Sequence, residues 1–206
     1  MKVLLVNGSP RKNGCTNRAL KEVANALNDN GVDTEIFWIG KDAISGCTGC
    51  RSCIKRGECI FNDVNIVRDK IAESDGFVFG SPVYYASANG NLISFMDRLF
   101  YSTPKKYLMY KPAASVVSAR RAGTTATFDI LNKYFSICQM PIISSSYWNM
   151  VHGNTPEEVE RDEEGLYTMR VLGRNMAYFI KSLKIAKDSG LEYPILEEAK
   201  RTNFIR

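Results

Sequence analysis

The sequence predicts an α/β protein: a five-stranded parallel sheet in the order 2-1-3-4-5 with helices on both faces, a three-layer sandwich. Three observations predict it. Short, continuous apolar runs alternate with stretches of helical periodicity, the pattern of a parallel sheet covered on both sides. Three chemically marked loops, 7–17, 81–90 and 118–124, each directly follow a predicted strand. Right-handed crossovers through five strands then favour this order, which opens a ligand crevice beyond the carboxyl ends of strands one and three.

Each element has its own signal. Val3–Val6 is apolar throughout and reads as the first strand. It runs into Asn7-Gly-Ser-Pro-Arg-Lys-Asn-Gly-Cys-Thr-Asn17, a Gly/Pro turn carrying hydroxyls and a guanidinium. Thr16–Asn30 reads as a helix, with Ala19, Leu20, Val23, Ala24 and Leu27 on one face and Gly31 past its end. Thr34–Ile39 is the second strand, residues 40–62 are a cysteine-bearing loop, and Asn65–Glu73 is helical, with Ile66 and Ile71 on its apolar side. Gly76–Gly80 is the third strand and leads into Ser81-Pro82-Val83-Tyr84-Tyr85. In Asn89–Tyr101, Leu92, Phe95, Met96, Leu99 and Phe100 recur at helical spacing. Ala113–Ser118 is the fourth strand, Thr125–Phe135 a helix, and Pro141–Ser145 a short fifth strand. Thr155-Pro156-Glu157-Glu158 has a capping-box pattern with proline at the first helical position. Met169, Leu172, Met176, Phe179, Ile180 and Leu183 then make the stripe of a long last helix that Gly190 ends. Residues 1–190 read as one domain and 191–206 as a polar, arm-like tail.

Composition narrows the class. The 206 residues suffice for one well-buried core. A hydrophobic fraction of 45% and a charged fraction of 24% are those of a globular protein. The net charge of +5 is spread along the chain, without the basic clustering of a nucleic-acid binder. No apolar run approaches the roughly 18 residues of a membrane span, and the N-terminus lacks a secretory h-region of roughly 7–15 residues. The expected location is the cytoplasm, where six cysteines serve as thiols or as metal or cluster ligands rather than in structural disulfides.

The first loop is built for an anion. A helix start offers free backbone N–H groups and a positive dipole end. Ser9 and Thr16 add hydroxyls, Arg11 can pair with a phosphate, and Asn13 and Asn17 complete the loop. Asn7-Gly-Ser-Pro-Arg-Lys-Asn-Gly, Gly80-Ser-Pro-Val-Tyr-Tyr85 and Ser118-Ala-Arg-Arg-Ala-Gly123 together resemble the three flavin loops of flavodoxin-like NAD(P)H-dependent FMN reductases. The resemblance extends through Met96-Asp-Arg98 and Gln139-Met-Pro141 to Tyr147-Trp-Asn-Met-Val-His-Gly153, covering roughly residues 1–153. It implies a flavodoxin-like fold with FMN as cofactor. It places Ser9, Arg11, Cys15 and Thr16 on the phosphate, although the family often has asparagine where Cys15 stands. Pro82, Val83, Tyr84 and Tyr85 offer main-chain groups and aromatic surface to the ring edge. Ser118, Arg120, Arg121 and Gly123 approach the part of the ring that gains negative charge on reduction. Hydride transfer needs stacking and orientation, not a protein nucleophile. The one histidine, His152, suits packing more than flavin-edge contact or proton delivery, and Trp148 suits packing or a neighbouring subunit's flavin.

The spacing Cys47-x2-Cys50-x2-Cys53-x5-Cys59 is a cluster-ligand pattern. It resembles the compact motif of iron–sulfur flavoproteins, a branch of the same superfamily, and implies a 4Fe-4S cluster there. Structural Zn²⁺ and free or redox-active thiols also suit four such cysteines. Cys138 sits in an apolar stretch and reads as a small hydrophobe. The expected activity takes electrons from NADH or NADPH through FMN to a quinone, free flavin, nitro or azo compound, or carrier protein. A flavodoxin-like or iron–sulfur carrier that does not itself oxidise NAD(P)H is the alternative, and a regulatory protein with a vestigial flavin site is a third reading. The last helix and the aromatic loop 147–153 suit a homodimer or homotetramer; no nucleic-acid or membrane partner is expected.

Overall fold

The central sheet is built on apolar strands that alternate sides. In the computed structural model, which describes residues 1–195, 197, 202 and 203, the elements are β1 (Lys2–Asn7), α1 (Cys15–Asp29), β2 (Asp33–Trp38), α2 (Ser52–Arg56), α3 (Asn65–Ala72) and β3 (Gly76–Tyr84). After these come β4 (Ser87–Ala88), α4 (Gly90–Ser102), β5 (Ala113–Ala119), α5 (Thr124–Ile137), β6 (Met150–His152), α6 (Pro156–Val159) and α7 (Glu163–Asp188). The parallel path runs β2-β1-β3-β5-β6, and β4 pairs antiparallel with the end of β3. The parallel strands therefore follow the expected order, and a sixth, very short strand is added.

Strand periodicity divides the core. Val3, Leu5 and Val78 pack against α1 and α7, through Leu20, Val23, Leu27, Met169, Leu172 and Met176. Leu4, Val6, Phe77 and Phe79 point to the other face, against Val67, Ile71, Phe95, Met96, Leu99, Leu131 and Phe135 of α3, α4 and α5. Each fully buried Val, Leu or Phe contributes about 1.5–3 kcal/mol of transfer free energy, so both faces are needed to hold the sheet. No helix among the described residues is long and apolar enough to cross a membrane.

Four boundaries depart from the sequence expectation. The third strand does not stop at Gly80: it continues through Ser81–Tyr84 and folds back onto β4. The fifth strand is at Met150–His152, while Pro141–Ser145 makes only an isolated bridge, Ala113 to Ile142. Eight residues separate Ile142 from Met150 where four separate their partners Ala113 and Val117, so the excess loops out and carries Tyr147 and Trp148. The last helix is two: Thr155 caps only the short α6, and the Asp162 carboxylate accepts from Gly165 N–H to start α7. The cysteine loop contains its own short helix, α2. The arm expected over 191–206 lies partly outside the described residues; in the described part, the Tyr193 ring stacks on Tyr110 at 4.8 Å.

Candidate functional site

The site forms where β1, β3 and β5 end. Ser9, Pro10, Arg11, Gly14, Cys15, Thr16, Pro82, Val83, Tyr84, Ser118, Ala119, Arg120, Gly153 and Asn154 line one open hollow of about 150 Å³. Larger hollows of about 380 and 670 Å³ lie toward the opposite strand ends or under α7, lined by residues such as Met1, Lys111 and Tyr193, and one of about 240 Å³ lies at the sheet edge beside β6, away from the switch point between β1 and β3. The ligand crevice of an open parallel sheet lies at the carboxyl ends, which selects the smaller hollow.

Local hydrogen bonds shape the first loop. Buried Asn7, at the end of β1, accepts from Ser9 N–H at 3.0 Å and donates from Nδ2 to Lys12 O at 3.0 Å. Ser9 Oγ accepts from Arg11 N–H, and Trp38 Nε1 donates to Ser9 O at 2.7 Å. A side chain at Gly80 would meet Leu20 Cδ1 at 2.8 Å and Thr16 Cγ2 at 2.9 Å, so glycine lets the first turn of α1 press against β3. Gly14 is the N-cap of α1 and offers no side-chain acceptor, and the first turn holds no acid. Among the described residues, the N–H groups of Cys15, Thr16 and Asn17 have no acceptor, and Arg11, Arg120 and Arg121 have no carboxylate partner. An uncapped helix start beside an unpaired guanidinium is a site for a phosphate.

Thr16 Oγ1 and Ser118 Oγ share a hydrogen bond of 2.8 Å, tying this loop to the end of β5. The Cys15 thiol donates to Gly153 O at 3.5 Å, and burial pushes its pKa up, so it stays a neutral donor. The opposite wall is the β3–β4 hairpin. Its two turn residues, Tyr85 and Ala86, both have positive φ (51° and 56°), a type I′ geometry that is strained without glycine. Gly123 holds that turn: its φ is 92°, and a side chain there would meet Ala86 Cα at 2.8 Å and Val83 Cγ1 at 2.9 Å. Gly123 is also the N-cap of α5, a second helix start without a side-chain cap or acid in its first turn.

The structure brings Ser9, Arg11, Cys15, Thr16, Pro82, Val83, Tyr84, Ser118 and Arg120 to the hollow. It does not bring the others to its lining. Asn13 and Arg121 project to solvent, Asn17 is buried in the fold, and Tyr85 is fully exposed on the outward side of its turn. Gly123 acts on the hairpin behind it. Gly153 and Asn154, which end the path after β6, complete the lining without any charge or motif to mark them. His152 and Trp148 line a separate hollow with Asp162 and Glu164, and His152 N–H donates to Asp162 Oδ2 at 2.6 Å. The donor set of the hollow fits a phosphomonoester at α1 and a planar, partly apolar ring against Val83 and Tyr84.

The cysteines gather elsewhere, along α4. Cys47, Cys50, Cys53 and Cys59 line one pocket with Phe61, Arg98 and Tyr101, around a cavity of about 20 Å³. Burial, and secondarily the neighbouring thiols, push the Cys53 pKa up; hydrogen bonds from Ser52 pull that of Cys50 down. Among the described residues no three Cys, His, Asp or Glu side chains converge as they would on one metal ion. Four thiols from one segment, two of them exposed, match the donor chemistry of an iron–sulfur cluster by residue type and spacing. Cys138 is buried in the core beside α5, where burial raises its pKa.

Residues 1–155 match the family model of NADPH-dependent FMN reductases. An iron-sulfur flavoprotein of Methanocaldococcus jannaschii is 32% identical over 195 residues, covering 89% of this chain and 100% of that one. Among solved structures, RosB with a bound 8-demethyl-8-formylriboflavin-5'-phosphate intermediate superimposes with a TM-score of 0.72 at 14% identity, over 100% of this chain and 92% of that chain. A flavodoxin from the domain Archaea gives a TM-score of 0.58 at 17% identity, over 88% and 99% of the two chains. The last two likenesses establish the flavodoxin-like fold.

Proposed function

This chain belongs to the family of NADPH-dependent FMN reductases, and on that premise we propose that it takes electrons from NADH or NADPH through bound FMN to an acceptor: a quinone, a free flavin, a nitro or azo compound, or an electron-carrier protein. The observation that carries this reading is the open start of α1 beside unpaired Arg11, facing the β3–β4 hairpin across one hollow. FMN, when bound, supplies the hydride-accepting ring; the chain's own residues bind and orient it. Arg11 and the amides of Cys15, Thr16 and Asn17 hold the phosphate, with Ser9 beside them. Cys15, as a neutral thiol, adds no negative charge against it. The Thr16–Ser118 bond keeps the phosphate grip in register with the ring end. Val83 and Tyr84 form the wall against which the ring lies. Arg120 and the uncapped start of α5 bring positive potential to its rim, which favours electron uptake.

Cys47, Cys50, Cys53 and Cys59 would hold a 4Fe-4S cluster, which would supply one-electron exchange with FMN or a partner. Their spacing, with its Cys-x2-Cys-x2-Cys run, supports this over a single Zn²⁺. The exposed aromatics Tyr147, Trp148, Tyr167 and Tyr178 support a homodimer or homotetramer, and six unpaired thiols support a reducing cytoplasm.

Anaerobic addition of NADH or NADPH tests the reductase. Rapid bleaching of the bound flavin is expected with at least one of them. Flavin that bleaches with neither, and only with a reduced carrier protein, would instead establish the electron-transfer alternative. A protein that neither carries nor binds FMN overturns both. Iron, sulfide and zinc analysis of the same sample decides between cluster, zinc and free thiols.

A further inference from the structure

One side of α7 carries a protrusion near its start and an apolar hollow near its end. Thr168, Asn175, Phe179 and Ala186 recur at i, i+7, i+11 and i+18, one stripe of that helix. Near the start, Tyr147 and Trp148 stand beside Gly165 and Thr168, 56% and 50% exposed, with their rings edge-on at 4.7 Å. Near the end, Pro141, Phe179, Leu183, Ala186, Leu191 and Pro194 line the open hollow of about 670 Å³. Between them, Asn175 Nδ2 donates to Ser144 O at 2.9 Å and ties the aromatic loop to the stripe. Gly165 lies ten residues before Asn175 and Ala186 eleven after it, so protrusion and hollow sit about 15 Å to either side at 1.5 Å per residue. Glu163 and Glu164 begin the helix, and Lys181 and Lys187 lie toward its end. Among the described residues, none of these four has an ion-pair partner.

We propose that two copies of this chain pair through this side of α7, about a two-fold axis near Asn175, with the Tyr147–Trp148 pair of each seated in the apolar hollow of the other. The inference rests on the homo-oligomer reading above and adds the surface and its geometry. A two-fold interface is self-complementary, so a protrusion and a hollow equidistant from one point on a helix satisfy each other twice. The two helices then run antiparallel. That sets Glu163 and Glu164 of one copy toward Lys181 and Lys187 of the other, whereas a parallel approach would oppose like charges. Trp and Tyr desolvated in a partner's pocket are the typical anchors of such contacts. A small molecule is the weaker occupant. Ligand pockets orient their ligands with several converging polar groups, and this wall is mainly aliphatic and aromatic.

The test compares the full-length protein with W148A, A186W and a control, I66A, whose exposed side chain lies on α3 in the opposite layer. Association is read by light scattering and sedimentation over a dilution series, with the Tm of each protein alongside. W148A removes the protrusion and A186W fills the hollow. Each should raise the dimer dissociation constant about a hundredfold, because a two-fold contact loses its anchor twice, at about tenfold each. I66A should leave it unchanged. An equimolar mixture of W148A and A186W should associate more tightly than either alone, since Trp148 of the A186W copy still meets an open hollow on the W148A copy. A mixture no tighter than its parts overturns the proposal. Weakening by W148A alone also overturns it, since Trp148 would then dock elsewhere on the partner. So does an A186W protein that melts lower yet associates like the parent, because its own chain would then fill the hollow. A parent that stays monomeric throughout overturns the homo-oligomer reading and this inference together, whereas an oligomer indifferent to both substitutions overturns this inference alone.

Discussion

Replacing Arg11 with methionine isolates the phosphate grip. The Arg11 side chain is exposed and has no carboxylate partner among the described residues, so its removal leaves no buried charge behind. What it removes is one charge-assisted hydrogen bond at the mouth of the hollow. Hydrogen bonds to charged groups contribute about 1.5–3 kcal/mol, and solvent exposure puts Arg11 at the lower end. Since about 1.4 kcal/mol is tenfold in affinity, the Kd for FMN should rise about tenfold. Binding should survive, because the open amides at the start of α1 remain. Riboflavin, which lacks the phosphate, should bind the variant and the parent equally. The FMN penalty should also shrink as salt screens the exposed guanidinium. The assay is quenching of flavin fluorescence on titration of the apoprotein with FMN and with riboflavin at two ionic strengths. An equal loss for both flavins, or none for FMN, would refute the placement of the phosphate at Arg11.

Gly80→Ala puts a methyl group 2.8 Å from Leu20 Cδ1 and 2.9 Å from Thr16 Cγ2. Such overpacking costs about 1–3 kcal/mol, so the apoprotein Tm should fall by several degrees, at about 2–4 °C per kcal/mol for a chain of this size; an unchanged melt would contradict the close approach of α1. Glu35 is held below the ordinary carboxylate value of 4.5 by hydrogen bonds from Lys2 and Lys70. Its folded pKa is depressed, so its contribution is complete above that value and is lost as pH falls through the folded one. The Tm gap between wild type and E35Q should therefore be largest near neutrality and close as pH falls below 4.5. Asn91 accepts from Ile44 N–H at 3.2 Å and donates to Asp42 O at 2.9 Å. Asn91→Ala should speed amide hydrogen exchange across residues 42–62 and leave FMN affinity within about twofold; a parallel loss of flavin would show that the two loops are not separately held.

The parallel sheet was legible because buried strands such as Val3–Val6 and Phe77–Phe79 are apolar on both faces, and the amphipathic helices between them make right-handed crossovers that favour this order. The phosphate half of the site was legible because its residues are contiguous in sequence. The ring half was less so. Ser81–Tyr84 looks like a loop because Pro82 interrupts it, yet it continues β3 and turns through two non-glycine residues at positive φ. Gly123 was visible only as part of a motif; its function is to let the hairpin turn come within van der Waals contact, a long-range fact with no local trace. Gly153 and Asn154 reach the hollow only because the last parallel strand is Met150–His152. That placement depends on the four extra residues looping out after Ile142, and local propensity at Pro141–Ser145 pointed to the wrong pairing.

The cysteine segment lies between β2 and α3 in sequence, and the hairpin between β3 and α4, yet both are docked on one helix. Asn89 caps α4 and donates its N–H to Ser81 Oγ at 2.9 Å, which fixes the hairpin side. Asn91 holds the entry of the cysteine segment two residues on, and Arg98, Tyr101 and Ser102 reach its pocket near the far end. From Asn89 to Arg98 the helix rises about 13 Å at 1.5 Å per residue. Beyond about 10 Å, exposed charges are largely screened at ordinary salt, and the hollow at the strand ends opens to solvent. The hollow at the strand ends and the cysteine pocket are thus held toward opposite ends of one helix, and α4 fixes their separation.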